Sequence, residues 1–378
     1  MKRGLGVVLA LVLVVAVGLA LWLGPRLGGG AEGLGGSGGA GQVQQGAQVT
    51  QVSGLVGSEK APFFADPKVR EAFARNGLEV TVTSSGSRDM ATRPDLKSFG
   101  FAFPSSEPAG DRVKRAAGVT ETYTPFRSPL AIASFTPVVD VLAKAKVATK
   151  SGDTWMFDVA AYLQLAGKGT RWNALPGNSA YPASKNVLVT TTDVRRSNSA
   201  EMFLALASYV ANGGTMVTNA ATVNKVVPAV APLFIGQGYV GGSSEGPFED
   251  YLSAGMGKTP MVLVYESQLL GRQLAKDGAI TDQMTVMYPT PDIISKHTLV
   301  PISPDGDRVG RLLSTDPDLV RLAAEHGFRP NDRKVFVDAV TAAGVPAPPE
   351  LVNVVEPPTT EVLEQLTAGV EKLYGGTQ

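Results

Sequence analysis

Cysteine is absent from the 378 residues. That absence removes disulfides, thiolate catalysis, cysteine metal sites and a lipid-modified N-terminal cysteine together. Histidine is nearly absent as well. His297 and His326 are the only two, so imidazole acid–base or metal chemistry has few places to sit. An excess of either charge is also missing. Lysine plus arginine number 34, and aspartate plus glutamate also number 34. With no basic block either, a nucleic-acid footprint is not expected.

Apolar residues are plentiful. They make up 44% of the chain, enough to expect a folded body rather than global disorder. The length allows one large or two ordinary domains with their own cores.

The N-terminus carries a membrane signature. Met1-Lys2-Arg3 precedes an uncharged run from Gly4 to Gly24. As a helix this run is about 30 Å long, the thickness of a bilayer core. Basic residues on its N-terminal side place the body outside the cell. Leu5 to Leu23 is longer than the apolar core of a cleaved signal peptide, about 7–15 residues, and no clear Ala-x-Ala follows. An uncleaved transmembrane anchor over 1–25 is therefore favoured over a cleaved leader, which would leave a secreted body. Residues 26–48 read as a glycine-rich tether. Gly35-Gly36-Ser37-Gly38-Gly39 matches the G-x-S-x-G pattern of hydrolases. It is rejected because a nucleophile elbow needs a strand before it and a helix after it.

From Val49 the pattern alternates between short apolar strands and amphipathic helices. Strands are expected at Gln51–Val56, Leu78–Thr83, Ser98–Phe103, Asn186–Thr192, Thr215–Thr218, Met261–Tyr265, Met284–Tyr288 and Leu299–Ile302, with a longer extended segment at Tyr123–Phe135. Asp66-Pro67 opens a helix with a cap and a first-turn proline. Another helix is expected over Trp155–Leu165. Asn198, with Glu201 three residues on, reads as a capping box. Such alternation predicts an α/β fold with largely parallel sheets, long enough for two lobes. After the proline-rich stretches Pro346–Pro349 and Pro357-Pro358, a last helix over Thr360–Leu373 either docks on the body or awaits a partner.

Ligands of open α/β sheets bind beyond the carboxyl ends of strands, where helix N-termini point into a crevice. Three such positions carry small hydroxyl residues: Ser58 after Gly57, the run Ser84, Ser85 and Ser87, and the run Ser197, Asn198 and Ser199. A fourth is Gly241-Gly242-Ser243-Ser244. Any one alone is as readily a simple cap. Their occurrence in both halves points to a shared cleft. Glu266 joins the candidates, and Lys60, Arg88 and Tyr123 could add charge or stacking. No catalytic constellation is visible. Gly257-Lys258-Thr259 is no P-loop, since Leu252 stands where the first glycine must be. His297, between Lys296 and Thr298, reads as exposed, and His326 as the end of a helix. No metal or other cofactor is expected.

Several short motifs occur in an order that resembles bacterial extracellular solute-binding proteins of the type II periplasmic-binding superfamily. They are Gly57-Ser58-Glu59-Lys60 with Pro62-Phe63-Phe64, Ser128-Pro129-Leu130-Ala131-Ile132-Ala133, Ser197-Asn198-Ser199-Ala200, Tyr265-Glu266-Ser267-Gln268 and Gly327-Phe328-Arg329-Pro330. The resemblance spans about 49–330. It implies a two-lobed fold with a hinge of two crossing strands and a small ligand closed between the lobes. Lobe 1 would comprise 49–130 and 265–340, lobe 2 would comprise 131–264, and a tail would occupy 341–378. The chain also resembles a membrane-anchored actinobacterial branch in which a von Willebrand A domain often follows. The sequence ends at Gln378, so no metal-dependent adhesion is carried over. The missing lipidated cysteine departs from typical Gram-positive receptors. The implied role is capture of a small polar or anionic solute for transport or sensing, with an ABC-type permease or other membrane protein as partner. The alternative is a non-catalytic surface scaffold with the same fold.

Overall fold

The computed structural model describes residues 49–237 and 241–374. The expected anchor and tether at 1–48 lie outside the described residues. Among the described residues, no helix is long and apolar enough to cross a membrane.

The chain begins with a parallel unit. Strand β1 (Thr50–Val56) pairs in parallel with β2 (Leu78–Ser84) and with β3 (Phe101–Phe103). Between β1 and β2 lies the helix Pro67–Arg75, started as its sequence predicts: Lys68 N donates to the Asp66 carboxylate at 2.8 Å. Successive side chains of a strand face opposite ways. Val52, Val56, Phe101 and Phe103 accordingly enter one apolar cluster, while Leu55 and Ala102 enter another on the far face. Register then decides where the turns fall. Val56 is opposite both Ser84 and Phe103. The three strands stop side by side, and the turns at 57–58, 85–87 and 104–106 leave the sheet along one edge.

The remaining strands are β4 (Tyr123–Phe135), β5 (Ala148–Ser151), β6 (Thr154–Asp158), β7 (Met261–Tyr265), β8 (Met284–Thr290), β9 (Ile294–Pro301) and β10 (Arg329–Pro330). Hydrogen bonding runs in the order β2-β1-β3-β9-β4-β8-β6-β5, with β7 and β10 also on β4. The two largest hydrophobic cores among the described residues hang on this path. Phe126 of β4 packs in the smaller core with β1 and β3, whereas Leu130 to Ala133 of the same strand pack in the larger one. The return passage is β9: Ile293, just before it, belongs to the larger core, and Leu299 within it to the smaller. Two antiparallel strands therefore join the cores.

The expectation of largely parallel sheets is corrected. Three pairings are parallel and six are antiparallel. The long strand β4 takes part in four of the antiparallel ones, because each chain segment coming back to it runs the other way. Trp155–Leu165 is not one helix. Thr154–Asp158 is β6, rich in aromatic and β-prone residues, and a helix follows over Val159–Gly167 with Asp158 as its cap. Thr215–Thr218 forms no strand and leads into the helix Ala220–Val230. At 186–192 only isolated bridges form, from Asn186 to Arg171 and from Thr190 to Val262.

The helix Asn198–Ala211 is buried on every side from Asn198 through Ser208, as befits a helix at the centre of the larger core. The last helix, Thr360–Tyr374, docks. Val362, Leu363, Leu366 and Val370 complete the larger core. Leu366→Ala should therefore cost about 2–4 kcal/mol of stability by chemical denaturation, the range for truncating a buried leucine. Val352→Ala, at a side chain 93% exposed, should stay within about 0.5 kcal/mol of wild type.

Candidate functional site

The edge where β1, β2 and β3 end faces the start of the helix Asn198–Ala211 and the segment before the helix Glu245–Lys258. Between them lies a cleft of about 240 Å³. Ser58, Ser84, Ser85 and Ser87 line it from one side and Ser197, Asn198, Ser199, Ser243 and Ser244 from the other. Ser105, Glu59, Asp89, Arg196 and Tyr265 complete it. Seven of the eight residues singled out in the sequence are thus brought to one cavity. The eighth, Glu266, is not. Its carboxylate accepts from Arg329 Nε at 2.7 Å and from Tyr288 Oη at 2.6 Å, away from the cleft. Tyr123 is also elsewhere, donating to Asp307 at 2.5 Å.

Hydroxyl groups dominate the walls. Ser58 and Ser243 share a hydrogen bond of 2.7 Å across the gap, and Ser87 and Ser105 share one of 3.1 Å. The helix Asn198–Ala211 is capped differently from the capping box expected. Ser197 is the N-cap, with its hydroxyl turned to Ser199 at 3.1 Å. Asn198 instead accepts from Ser106 at 2.5 Å and donates to Tyr265 Oη at 2.9 Å, bridging the two sides. Glu201 is fully buried and closes no box. It pairs with Arg88 and with Arg112, and both arginines also reach Glu364 of the last helix. Arg88 is therefore part of a clasp between the two sides.

Beneath the serines sits a buried ionic floor. Lys60 has no exposed surface. Its ammonium donates to Glu59 and to Ser105 at 3.0 Å, and stands 3.0 Å from His297 Nδ1. Ser105 also donates to Glu59 at 2.5 Å. Burial alone would raise the Glu59 carboxyl, but Lys60 and His297 override it and hold it well below the carboxylate range. Burial lowers the Lys60 ammonium, against the pull of Glu59. Gly57 is required here: a Cβ on it would come within 2.5 Å of Ser105 Oγ.

His297 corrects the sequence expectation. It is fully buried, ringed by Phe126, Tyr265 and Phe328 at 5.7, 5.4 and 5.4 Å. Its polar neighbours misled because it lies in β9, where adjacent side chains point apart. Lys296 faces out to Glu356. His326 ends its helix as expected, 2.9 Å from Asp66. Sequence reasoning missed Ser105, Asp89, Arg196 and Tyr265 as cleft residues. Ser105 alone left a signal, in the turn that follows a third apolar strand.

Burial, then the Lys60 charge, pulls His297 down to about 4. The unfolded imidazole, near 6.5, takes up its proton first, so this group's contribution is present above that pH and is lost as pH falls from about 6.5 towards 4. Denaturation curves across this window should show wild type weakening, and His297→Gln should flatten the slope.

No family model matches the chain, and no curated protein matches it. Solved structures do. The sulfate-binding protein SubI from Mycobacterium tuberculosis H37Rv is 16% identical with a TM-score of 0.50, over 86% of this chain and 99% of that one. Iron-bound HitA from Pseudomonas aeruginosa is 11% identical with a TM-score of 0.54, over 86% and 99%. The periplasmic binding protein AfuA from Actinobacillus pleuropneumoniae, with exogenous fructose-6-phosphate bound, is 10% identical with a TM-score of 0.53, over 86% and 98%. The fold is that of periplasmic solute-binding proteins.

Proposed function

We propose that this chain is a non-catalytic, extracytoplasmic solute-binding protein that captures a small anionic ligand, foremost an oxyanion, between two lobes for transport or sensing. One observation carries the reading: serine turns from both sides of the molecule line a single cleft. Hydroxyls, free backbone N–H groups and helix N-termini all favour negative oxygen atoms. The cavity of about 240 Å³ suits a compact solute rather than a peptide. Two of the similar folds, a sulfate-binding protein and one with fructose-6-phosphate bound, agree with this class.

Capture would work by population shift. The closed form contacts the ligand from both sides, the open form from one, and the difference in affinity drives closure. Strands β4 and β9 are the natural hinge: β4 carries residues of both major cores, and β9 runs antiparallel to it, from beside Ile293 in the larger core to Leu299 in the smaller. The N-terminal apolar run would tether the body to the membrane, as in the actinobacterial branch that the sequence resembles, and a permease or sensor would receive it.

Ser105 has a carboxylate partner, but Glu59 is held so far below its ordinary range that it is a poor base. The scaffold reading is weaker, since the apolar face of the last helix that it would use is spent on the body's own core.

A melting-temperature screen of solutes should find an oxyanion that stabilises the protein, by about 2.7 kcal/mol at a hundredfold excess over Kd. Ser85→Ala combined with Ser197→Ala should abolish most of that shift. A full shift in the double variant would count against this cleft.

A further inference from the structure

Three arginines stand near the mouth of the cleft, and they are not equivalent. Arg88 is committed to Glu201 and Glu364. Arg195 binds Asp193 through several contacts and lies over the Tyr374 ring at 4.6 Å. Arg196 alone of the three lines the cavity. Its guanidinium has one hydrogen-bonding partner among the described residues, Asp89, through a single contact of 3.2 Å. Asp89 lines the same cavity from the opposite side, on the short helix Ser87–Met90.

The two ion pairs of the cleft differ in how readily they can be exchanged. Glu59 and Lys60 are buried, and separating them would strand a charge away from water. Asp89 and Arg196 have side chains 39% and 57% exposed, and such pairs contribute about 0–1 kcal/mol. An entering ligand therefore recruits Arg196 and not Lys60. Two glycines let the chain approach Arg196 closely. A Cβ on Gly242 would sit 3.3 Å from Arg196 Cβ, and one on Gly86 would sit 3.1 Å from the Arg196 carbonyl oxygen.

Resting on the oxyanion reading above, we infer that Arg196 is the charge-selecting residue of the cleft and that Asp89 stands in for the ligand when the cleft is empty. Binding is an exchange. The oxyanion displaces the Asp89 carboxylate from Arg196 and takes a charge-assisted hydrogen bond in its place. Arg196 thus separates anionic solutes from neutral ones of the same shape, while Asp89 sets the threshold by competing for the same guanidinium.

Titration calorimetry with sulfate, inorganic phosphate, glucose 6-phosphate and glucose tests this. The first two probe free oxyanions, the third an ester, and the last an uncharged control. Arg196→Gln should weaken binding of whichever oxyanion binds wild type by about tenfold or more. Asp89→Asn should strengthen it about three- to tenfold. In the double variant the gain from Asp89→Asn should shrink, because its target is gone. Both positions are over a third exposed, and unchanged melting temperatures without ligand would establish that the variants fold. Wild-type affinity in Arg196→Gln, or weaker binding in Asp89→Asn, would overturn the assignment while leaving the oxyanion reading standing. Binding of glucose by wild type with no oxyanion bound would overturn both.

Discussion

A lysine ammonium with no access to water fixes the rest of the site. Removing such a charge from solvent costs several kcal/mol, and it is tolerated only where hydrogen bonds and an opposite charge meet it in good geometry. Lys60 meets Glu59, Ser105 and His297. Each partner comes from a different part of the chain: the turn after β1, the turn after β3, and β9. If any of them moved, an ionic group would be left without compensation in a dry interior. The floor is rigid for that reason, and the serine turns above it inherit their positions.

Rigidity below contrasts with exchangeable contacts above. The contacts that span the gap at the serine level are one hydroxyl pair, a single amide and one exposed ion pair. Each is worth about 1 kcal/mol or less net, so a ligand can replace them. The heavier clasp of Arg88, Arg112, Glu201 and Glu364 lies to one side of the cavity and includes the last helix. Burial separates the two ion pairs of the site: the Glu59–Lys60 pair of the floor is dry, and the Asp89–Arg196 pair of the mouth is wet.

Much of this was legible in the residues. The strand–turn–helix starts at 57, 85 and 197 could be found because alternating apolar residues end abruptly in small hydroxyl residues. The convergence of those turns could not be proved from the sequence, because it depends on the register of β1 against β2 and β3. Glu266 and His297 show where local reading fails. Each has polar sequence neighbours, yet each is buried by residues far along the chain: Arg329 and Tyr288 for the first, Phe126, Tyr265 and Phe328 for the second. The helices Glu107–Ala117 and Glu245–Lys258 also escaped notice. The first announces itself with Ser106 as cap and Pro108 in its opening turn. The second is obscured by its glycines and by a backbone kink at Gly255.

Pro129 sits where β4 passes from the smaller core to the larger, opposite Ile294 of β9. Proline has no N–H to give to a ladder, so the ribbon linking the cores is missing one donor at its crossing point. For the closing motion proposed above, the crossing is a point where the ribbon has one hydrogen bond fewer to distort. A ligand that closes the cleft would then bend the ribbon where its ladder is thinnest, and leave the buried floor as it is.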